Sequence, residues 1–257
     1  VAMPQALIFD VDGTLADTEG EGHRVAFNKA FDEAGLDWCW SRDLYGELLA
    51  VTGGQERMRH FISHYLPPEQ RPADVEKLVP RLHKEKNRHY EELLQTGRIG
   101  LRPGVERLLQ EAREAGLTLA IATTTTRSNV LALLENTLGT EAVDWFRLIA
   151  TADEVSEKKP SPKVYEYVLE TLDLEAPQCL VFEDSENGLR AASAIGLETL
   201  ITVNDYTRDG DYREALLVVE HLGEPEQPSR VLGGTRRERL AADQCQVDLE
   251  LLRCLWE

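Results

Sequence analysis

Cysteine is scarce in this chain of 257 residues: Cys39, Cys179, Cys245 and Cys254 form no C-x-x-C pair and have no histidine-rich neighbourhood. That excludes a disulfide framework and a zinc site of the usual ligand spacing. Long apolar runs are missing too, since the longest uncharged stretch, Ala115 to Thr126, falls well short of the ~20 residues a spanning helix needs. Positive charge is in deficit, with 28 Lys plus Arg against 46 Asp plus Glu, a net charge of −18. A nucleic-acid or anionic-membrane partner, which wants a basic face, is therefore not expected. The opening residues carry no basic stretch followed by an apolar one, so no leader is expected, and the cytoplasm is the expected compartment. Nothing in the composition calls for a partner chain, and a monomer is expected.

What is present is length enough for one large core, or a core with a smaller inserted unit. Ala6-Leu7-Ile8-Phe9 reads as a buried strand that breaks into the polar loop Asp10-Val11-Asp12-Gly13-Thr14. Residues 19–95 hold no comparable β-rich run but show helical periodicity in several pieces, among them Met58/Phe61/Ile62/Tyr65 and Leu78/Leu82/Tyr90/Leu93/Leu94. An all-helical insertion is expected there. From Arg102-Pro103-Gly104 onward, helices starting near Pro103, Arg127, Pro162 and Ser185 alternate with strands at Leu117–Ala122, Phe146–Ala150, Cys179–Phe182 and Glu198–Val203. Such alternation predicts an α/β fold, a Rossmann-like three-layer core with a parallel sheet, formed by residues 1–18 and 96–257 and carrying the helical cap 19–95. Ala215–Val219 adds an expected edge strand. The extension 224–257 reads as a loop followed by a docking helix, with the run Arg236-Arg237-Glu238-Arg239 on a solvated face.

Open parallel sheets bind ligands beyond the carboxyl ends of their strands. The residues just after the proposed strands are Asp10 and Asp12, then Thr123 and Thr124, then Lys158-Lys159-Pro160, then Glu183-Asp184. Two aspartates spaced by two in an extended segment face the same way, so one can attack while the other moves protons. A carboxylate nucleophile splits a slow phosphoryl displacement into two easier steps. Mg²⁺ on hard oxygen ligands from Asp10, the Asp12 main-chain carbonyl and Asp184 would let anion approach anion. Lys159, the Thr123 hydroxyl and the Thr124 N–H would balance or bind phosphoryl oxygens. Taken singly, each has a plainer reading: Thr123 closes a strand, Lys159 is a solvated charge, and Glu183-Asp184 caps a helix. Their order along the chain lifts them together.

FDVDGT at Phe9–Thr14, ATTTT at Ala122–Thr126, KKPSP at Lys158–Pro162 and VFEDSENG at Val181–Gly188 resemble the four sequential motifs of the haloacid dehalogenase superfamily, over Ala6 to about Val203. The resemblance implies Asp10 as nucleophile, Asp12 as general acid and then base, and Thr123 and Lys159 as phosphoryl ligands. It implies Asp184 as a Mg²⁺ ligand and Glu183 as a further ligand or a residue supporting one. GLDWCW at Gly35–Trp40, LYGELLAVTGGQERM at Leu44–Met58, HKEK at His83–Lys86 and TTTTRSN at Thr123–Asn129 resemble more narrowly the CbbY group. Those enzymes are similar to phosphatases of xylulose 1,5-bisphosphate, an inhibitory by-product of Rubisco. A small-molecule sugar bisphosphate substrate is thus implied, with Thr125 and Asn129 joining Thr123 and Thr124 in its site. Gln55 departs from the group, which usually carries lysine there, so a distal-phosphate contact is lost or passes to Arg57.

The insertion itself carries a basic cluster, Arg57, His83, Lys84, Lys86, Arg88 and His89, in an acidic chain. His83 and Lys86, three apart, sit on one helix face, and at least one of Arg57, His83 and Lys86 is expected to touch a distal phosphate. Gly53-Gly54 fits a close approach of backbone to ligand or an ordinary turn. Glu19 binds a sugar hydroxyl by the resemblance, or simply starts a helix. His23 steers the Asp12 carboxyl or packs. A phosphosugar mutase resembling β-phosphoglucomutase shares the core motifs, His23 and Lys86 and stands as the alternative enzyme. A non-catalytic binding protein is disfavoured, because every catalytic position is present.

Overall fold

Ala6-Leu7-Ile8-Phe9 is apolar at every position, as suits a strand covered on both faces, and it forms β1 (Ala6–Phe9) with no residue exposed. Further strands follow as β2 (Thr118–Ala122), β3 (Leu148–Ala150), β4 (Cys179–Glu183), β5 (Glu198–Thr202), β6 (Leu217–Val219), β7 (Ser229–Gly233) and β8 (Gln244–Cys245). In the computed structural model, which describes residues 3–256, they form one eight-stranded sheet of order β3-β2-β1-β4-β5-β6-β7-β8. The first six run parallel, and β7 and β8 are antiparallel to their neighbours. The order reverses at β1, between β2 and β4, which is where open sheets of this kind leave a crevice. Register sets Phe9 level with Ile121 on one side and Phe182 on the other. The residues that follow, Asp10 and Glu183 among them, therefore emerge side by side.

The inserted segment holds α1 (Arg24–Glu33), α2 (Arg42–Leu48), α3 (Gly54–His64) and α4 (Val75–Gln95), and four crossover helices cover both faces of the sheet. The crossovers are α5 (Val105–Glu114), α6 (Arg127–Thr137), α7 (Lys163–Leu172) and α8 (Glu186–Ser193). Alternate residues of β1 feed different cores. Leu7 and Phe9 pack with Leu108, Leu109 and Leu133, while Ala6 and Ile8 pack with Val164, Val168 and Ala191. Residues 19–95 contribute helices only, as expected. Ser41 caps α2 through Leu44 N, and Asp74 caps α4 through Lys77 N. Phe27, Phe31, Trp40, Tyr45 and Phe61 stack into an aromatic core of their own. The segment leaves and rejoins the sheet at paired points, since Ala16 forms an antiparallel bridge to Leu101 and Arg102 N donates to Leu15 O at 2.9 Å.

The C-terminal part corrects two expectations. Ala215–Val219 does contain a strand, β6, but it is internal rather than at the edge, because β7 and β8 continue the sheet beyond it. In β7 only Ser229 and Val231 are buried, and Gly233 and Gly234 end it, so its pattern is too short to stand out from a loop. The final helix α9 (Leu249–Trp256) docks as expected. The arginine run is not merely a solvated face: Arg236 and Arg239 donate to the Leu255 carbonyl at the end of α9, and Arg236 also pairs with Glu198. They satisfy acceptors that a helix end otherwise leaves free.

Arg102 is the main knot of the sheet's active edge. Buried to 8% exposure, it donates to the carbonyls of Gly13 (2.5 Å), Thr202 (3.2 Å), Val203 (2.6 Å) and Glu220 (2.7 Å). It also meets Asp17 at 3.3 Å. One side chain thus joins the β1 loop, the end of β5, the end of β6 and the start of the helical segment. Arg102→Ala strands four buried acceptors and is expected to destabilise by ~3 kcal/mol, a fall in Tm of about 6–12 °C for a chain this size. A calorimetric midpoint within about 2 °C of the parent would contradict that role.

Candidate active site

The loop after β1 turns sharply because Gly13 adopts φ +83°, and a Cβ there would meet the Asp184 and Asn204 side chains. That turn brings Asp10 and Asp12 over the sheet's carboxyl edge. Lys159 Nζ lies 2.9 Å from Asp10 Oδ1 and 2.5 Å from Glu183 Oε1, and also donates to Ala122 O at 2.9 Å. Carboxylate oxygens of Asp10, Glu183 and Asp184 lie within 4.8 Å of one another. Thr123, 2% exposed, completes the group at the end of β2, where its Oγ1 accepts from Thr125 N at 3.2 Å. Asp10, Asp12, Thr123, Lys159, Glu183 and Asp184 therefore converge, although Asp10 and Asp184 are 174 positions apart in numbering (184 − 10).

Electrostatics sort these carboxylates. Burial, then the charge of Glu183, pushes Asp10 up to about 7 against the pull of Lys159. Burial, with Asp10 and Glu183 beside it, pushes Asp184 well above the usual carboxylate range. Burial also works against the Lys159 ammonium, yet Asp10 and Glu183 outweigh it and hold it above the ordinary lysine range. Burial disfavours the Asp12 carboxylate as well, but His23 Nε2 at 2.7 Å and Thr18 Oγ1 at 2.6 Å, both on Oδ1, hold it down at about 2. His23 both steers Asp12 and packs, its ring stacked 4.0 Å from that of Tyr90.

Three buried carboxylates facing one ammonium repel one another, and a divalent cation on hard oxygen donors is the group that relieves this. The donor set fits such an ion. The Glu183 oxygens are largely committed, Oε1 to Lys159 and to Tyr165 Oη (2.6 Å), and Oε2 to Asp184 N (3.3 Å). Asp10 and Asp184 each keep more free coordination, with Asn204 Nδ2 holding one Asp184 oxygen at 2.8 Å.

A cleft of about 910 Å³ separates this centre from the helical segment, and Glu19, Gly53, Gly54, Gln55, Arg57, His83, Lys86, Thr124 and Thr125 all line it. Gly54 leaves room for the His83 ring, 2.8 Å from where a Cβ would stand. Glu19 accepts from Tyr45 Oη at 2.6 Å, and Arg57, only 8% exposed, donates to that same hydroxyl at 3.3 Å and to Leu48 O at 3.2 Å. Lys86 sits between the Phe27 and Tyr90 rings, 5.1 and 5.2 Å from their centroids. Burial lowers it to about 8 while Asp12 and Glu19 work the other way. Burial and the nearby Lys86 lower His83 to about 3, so its ring is neutral.

Two expectations change. The basic cluster is split by helix periodicity: Arg57, His83 and Lys86 face the cleft, whereas Lys84 is exposed and Arg88 and His89 pair with Glu33 and Glu92 outside it. Asn129 does not line the cleft; it lies behind the threonine loop, donating to Thr125 Oγ1 at 3.0 Å and to Asn87 Oδ1 at 3.2 Å. Thr18, Tyr45, Tyr165 and Asn204 are site residues that the sequence reading missed. Asn204 was within reach, because it follows β5 just as Glu183-Asp184 end β4, and the same strand-end rule applies to it.

Comparison with known proteins agrees with this geometry. The chain matches the sequence model of the haloacid dehalogenase-like hydrolases over residues 4–196. It is 51% identical over 224 residues to the plasmid protein CbbY of Cupriavidus necator, covering 87% of this chain and 88% of that one. The crystal structure of CbbY from Rhodobacter sphaeroides in complex with phosphate is 42% identical, with TM-score 0.79, and the match covers 85% of this chain and 95% of that one. A mutant of that protein in complex with xylulose-(1,5)bisphosphate matches at 40% identity and TM-score 0.79, over 91% and 98% of the two chains. Motifs, sheet order and site thus agree: the chain belongs to the haloacid dehalogenase-like hydrolases and is a CbbY-like phosphatase.

Proposed function

We propose that the chain is a Mg²⁺-dependent phosphatase that removes the 1-phosphate of xylulose 1,5-bisphosphate through a phosphoryl group carried on Asp10. The observation that carries this reading is the opposition across one cleft of the Asp10–Lys159–Asp184 centre and the cations Arg57 and Lys86. A substrate with phosphates at both ends meets complementary chemistry at each wall. The similarity to the bisphosphate-bound CbbY structure supports the same choice. On this reading residues 19–95 are a cap over a core of 1–18 and 96–257, and the protein works as a monomer in the cytoplasm.

Asp10 attacks phosphorus while Lys159, held by Glu183 and the Ala122 carbonyl, fixes its orientation. Thr123 and the Thr124 N–H receive phosphoryl oxygens as charge spreads over them. Asp10, the Asp12 main-chain carbonyl and Asp184, with Glu183 behind them, would hold Mg²⁺, which would supply the positive charge that lets the carboxylate approach the phosphate. Asp12, with Oδ1 held by Thr18 and His23, presents Oδ2 to the leaving oxygen. It stands as an anion without substrate and takes up from solvent the proton it will donate when the charge of the phosphate dianion arrives beside it. It returns as base to activate water in the second step. At the other wall Arg57, Lys86 and neutral His83 take the distal phosphate, and Glu19 takes a sugar hydroxyl. Arg57 stands in for the lysine that Gln55 replaces.

The decisive measurement is inorganic phosphate release from sugar mono- and bisphosphates with and without Mg²⁺. Stoichiometric release from xylulose 1,5-bisphosphate is expected; return of the phosphoryl group to sugar would instead favour a mutase. Chelation should lower turnover by ~10³-fold or more, equivalent to several kcal/mol of lost charge stabilisation, and added Mg²⁺ should restore it; activity surviving chelation sinks the metal assignment. Asp10→Asn should abolish phosphoenzyme formation in a folded protein, and Asp12→Ala should lower kcat ~10²–10⁴-fold; for Asp12, a change confined to KM would speak against proton transfer. Arg57→Ala should raise KM for the bisphosphate ~10–100-fold, a loss of about 1.5–3 kcal/mol of charged hydrogen bonding, and leave a small monophosphate nearly unaffected. Equal effects on the two substrates would remove Arg57 from the distal site.

A further inference from the structure

The loop after β5 reaches both walls of the cleft. Asn204 is held on every side: its N–H donates to Thr207 Oγ1 at 3.0 Å, its Oδ1 accepts from Tyr206 N at 2.9 Å, and its O accepts from Thr207 N and Arg208 N at 3.2 and 3.1 Å. With Oδ1 so engaged, its amide nitrogen faces Asp184 Oδ2, 2.8 Å away. Two residues on, the Tyr206 ring leaves the sheet edge and enters the aromatic core of the helical segment. Every other described member of that cluster lies between Phe27 and Leu82. The ring stands edge-on to Tyr45, centroids 6.0 Å apart. It also fills space left by two glycines: a Cβ on Gly20 would stand 3.2 Å from its Oη, and one on Gly46 3.2 Å from its Cδ1.

Tyr45 in turn carries Glu19 and Arg57 on its hydroxyl, so the ring that Tyr206 supports belongs to the substrate wall. Tyr206, Glu19 and Asn204 also line a second cavity of about 320 Å³ behind the cleft, which makes them the partition between the two. The Tyr206 hydroxyl is buried and has no hydrogen-bond partner in the protein. An unpaired buried hydroxyl costs free energy, so the ring and not the hydroxyl holds this contact.

We propose that Tyr206 is a positioning residue that docks the helical segment onto the catalytic edge, presented by a turn, Asn204–Thr207, that is itself anchored on Asp184. The proposal rests on the reading of residues 19–95 as a cap over a phosphatase centre. With the ring in place, Tyr45, Glu19 and Arg57 stand where a long substrate needs them, while a small phosphate that touches only the core is indifferent to it.

Three proteins decide the matter: the parent, Tyr206→Ala and Tyr206→Phe, each assayed with Mg²⁺ on xylulose 1,5-bisphosphate and on acetyl phosphate. In Tyr206→Ala, kcat/KM for the bisphosphate is expected to fall ~10–100-fold, chiefly through KM, the effect of losing one well-packed aromatic anchor. Acetyl phosphate turnover should change less than about threefold, and Tyr206→Phe should match the parent on both substrates. Hydrogen exchange supplies an arm that needs no substrate: α2 amides should exchange faster in Tyr206→Ala but not in Tyr206→Phe, with α5 amides unchanged in both. Equal losses on both substrates, a phenylalanine variant as impaired as the alanine one, or unaltered α2 exchange would each overturn the proposal. If the parent itself releases no phosphate from the bisphosphate, the substrate assignment fails, and the exchange arm still decides the docking.

Discussion

Like charge held at close quarters is the constraint on which this molecule is organised. The parallel register of β1 and β4 brings Asp10 and Glu183 out side by side, and Asp184 follows directly. Such packing persists because the surroundings over-determine it. Lys159 bridges two of the carboxylates, Tyr165 holds Glu183, Asn204 holds Asp184, and Arg102 ties the loop after β1 to the ends of β5 and β6. Raised proton affinity at Asp10 and Asp184 is the energetic signature of the strain, and it is relieved by positive charge placed between them. A phosphatase whose nucleophile is an anion attacking an anion has use for a centre of this kind.

The two walls of the cleft divide the work by charge. The sheet edge supplies acids, hydroxyls and one lysine, whereas the helical wall supplies Arg57, Lys86 and a neutral His83. In a chain of net charge −18 these buried cations are a small local reserve. Their burial matters more than their number: Lys86 is 3% exposed between two aromatic rings, where its charge is weakly screened and the nearby Asp12 and Glu19 carboxylates favour it against the cost of burial. The aromatic core behind them keeps Tyr45, Glu19 and Arg57 in one hydrogen-bonded chain. Geometry at the distal wall is therefore a consequence of packing in the helical segment and of what docks against it.

Much of this was legible in the residues alone, for reasons that differ by element. β1, β2 and β4 are buried on both faces, so each carries a short continuous apolar run bounded by polar residues, whereas β5 buries Leu200 and Ile201 between the threonines Thr199 and Thr202. The chemistry sits at their ends because a strand terminus is where an open parallel sheet exposes backbone and side chains together. Asp10, Asp12, Thr123, Lys159 and Asp184 could thus be named in order without coordinates. β7 and β8 could not, since a strand with two buried residues and a glycine end has too little pattern to distinguish it from a turn. The arginines at 236 and 239 read as solvent-facing because nothing local announces that the last helix will bring a free carbonyl to them.

The amino-acid sequence by itself determined the sheet's central strands, the helical insertion and which groups meet at the sheet's carboxyl edge, because each depends on local periodicity or on a residue's position relative to a strand end. Only the tertiary structure decided which cations face the cleft, that Asn129 stands behind it, and that Thr18, His23, Tyr165 and Asn204 hold the carboxylates in place. Those contacts run from Thr18–Asp12, six positions apart, to Asn204–Asp184, twenty apart, and their distances are set by packing between elements rather than by any regular spacing along the backbone.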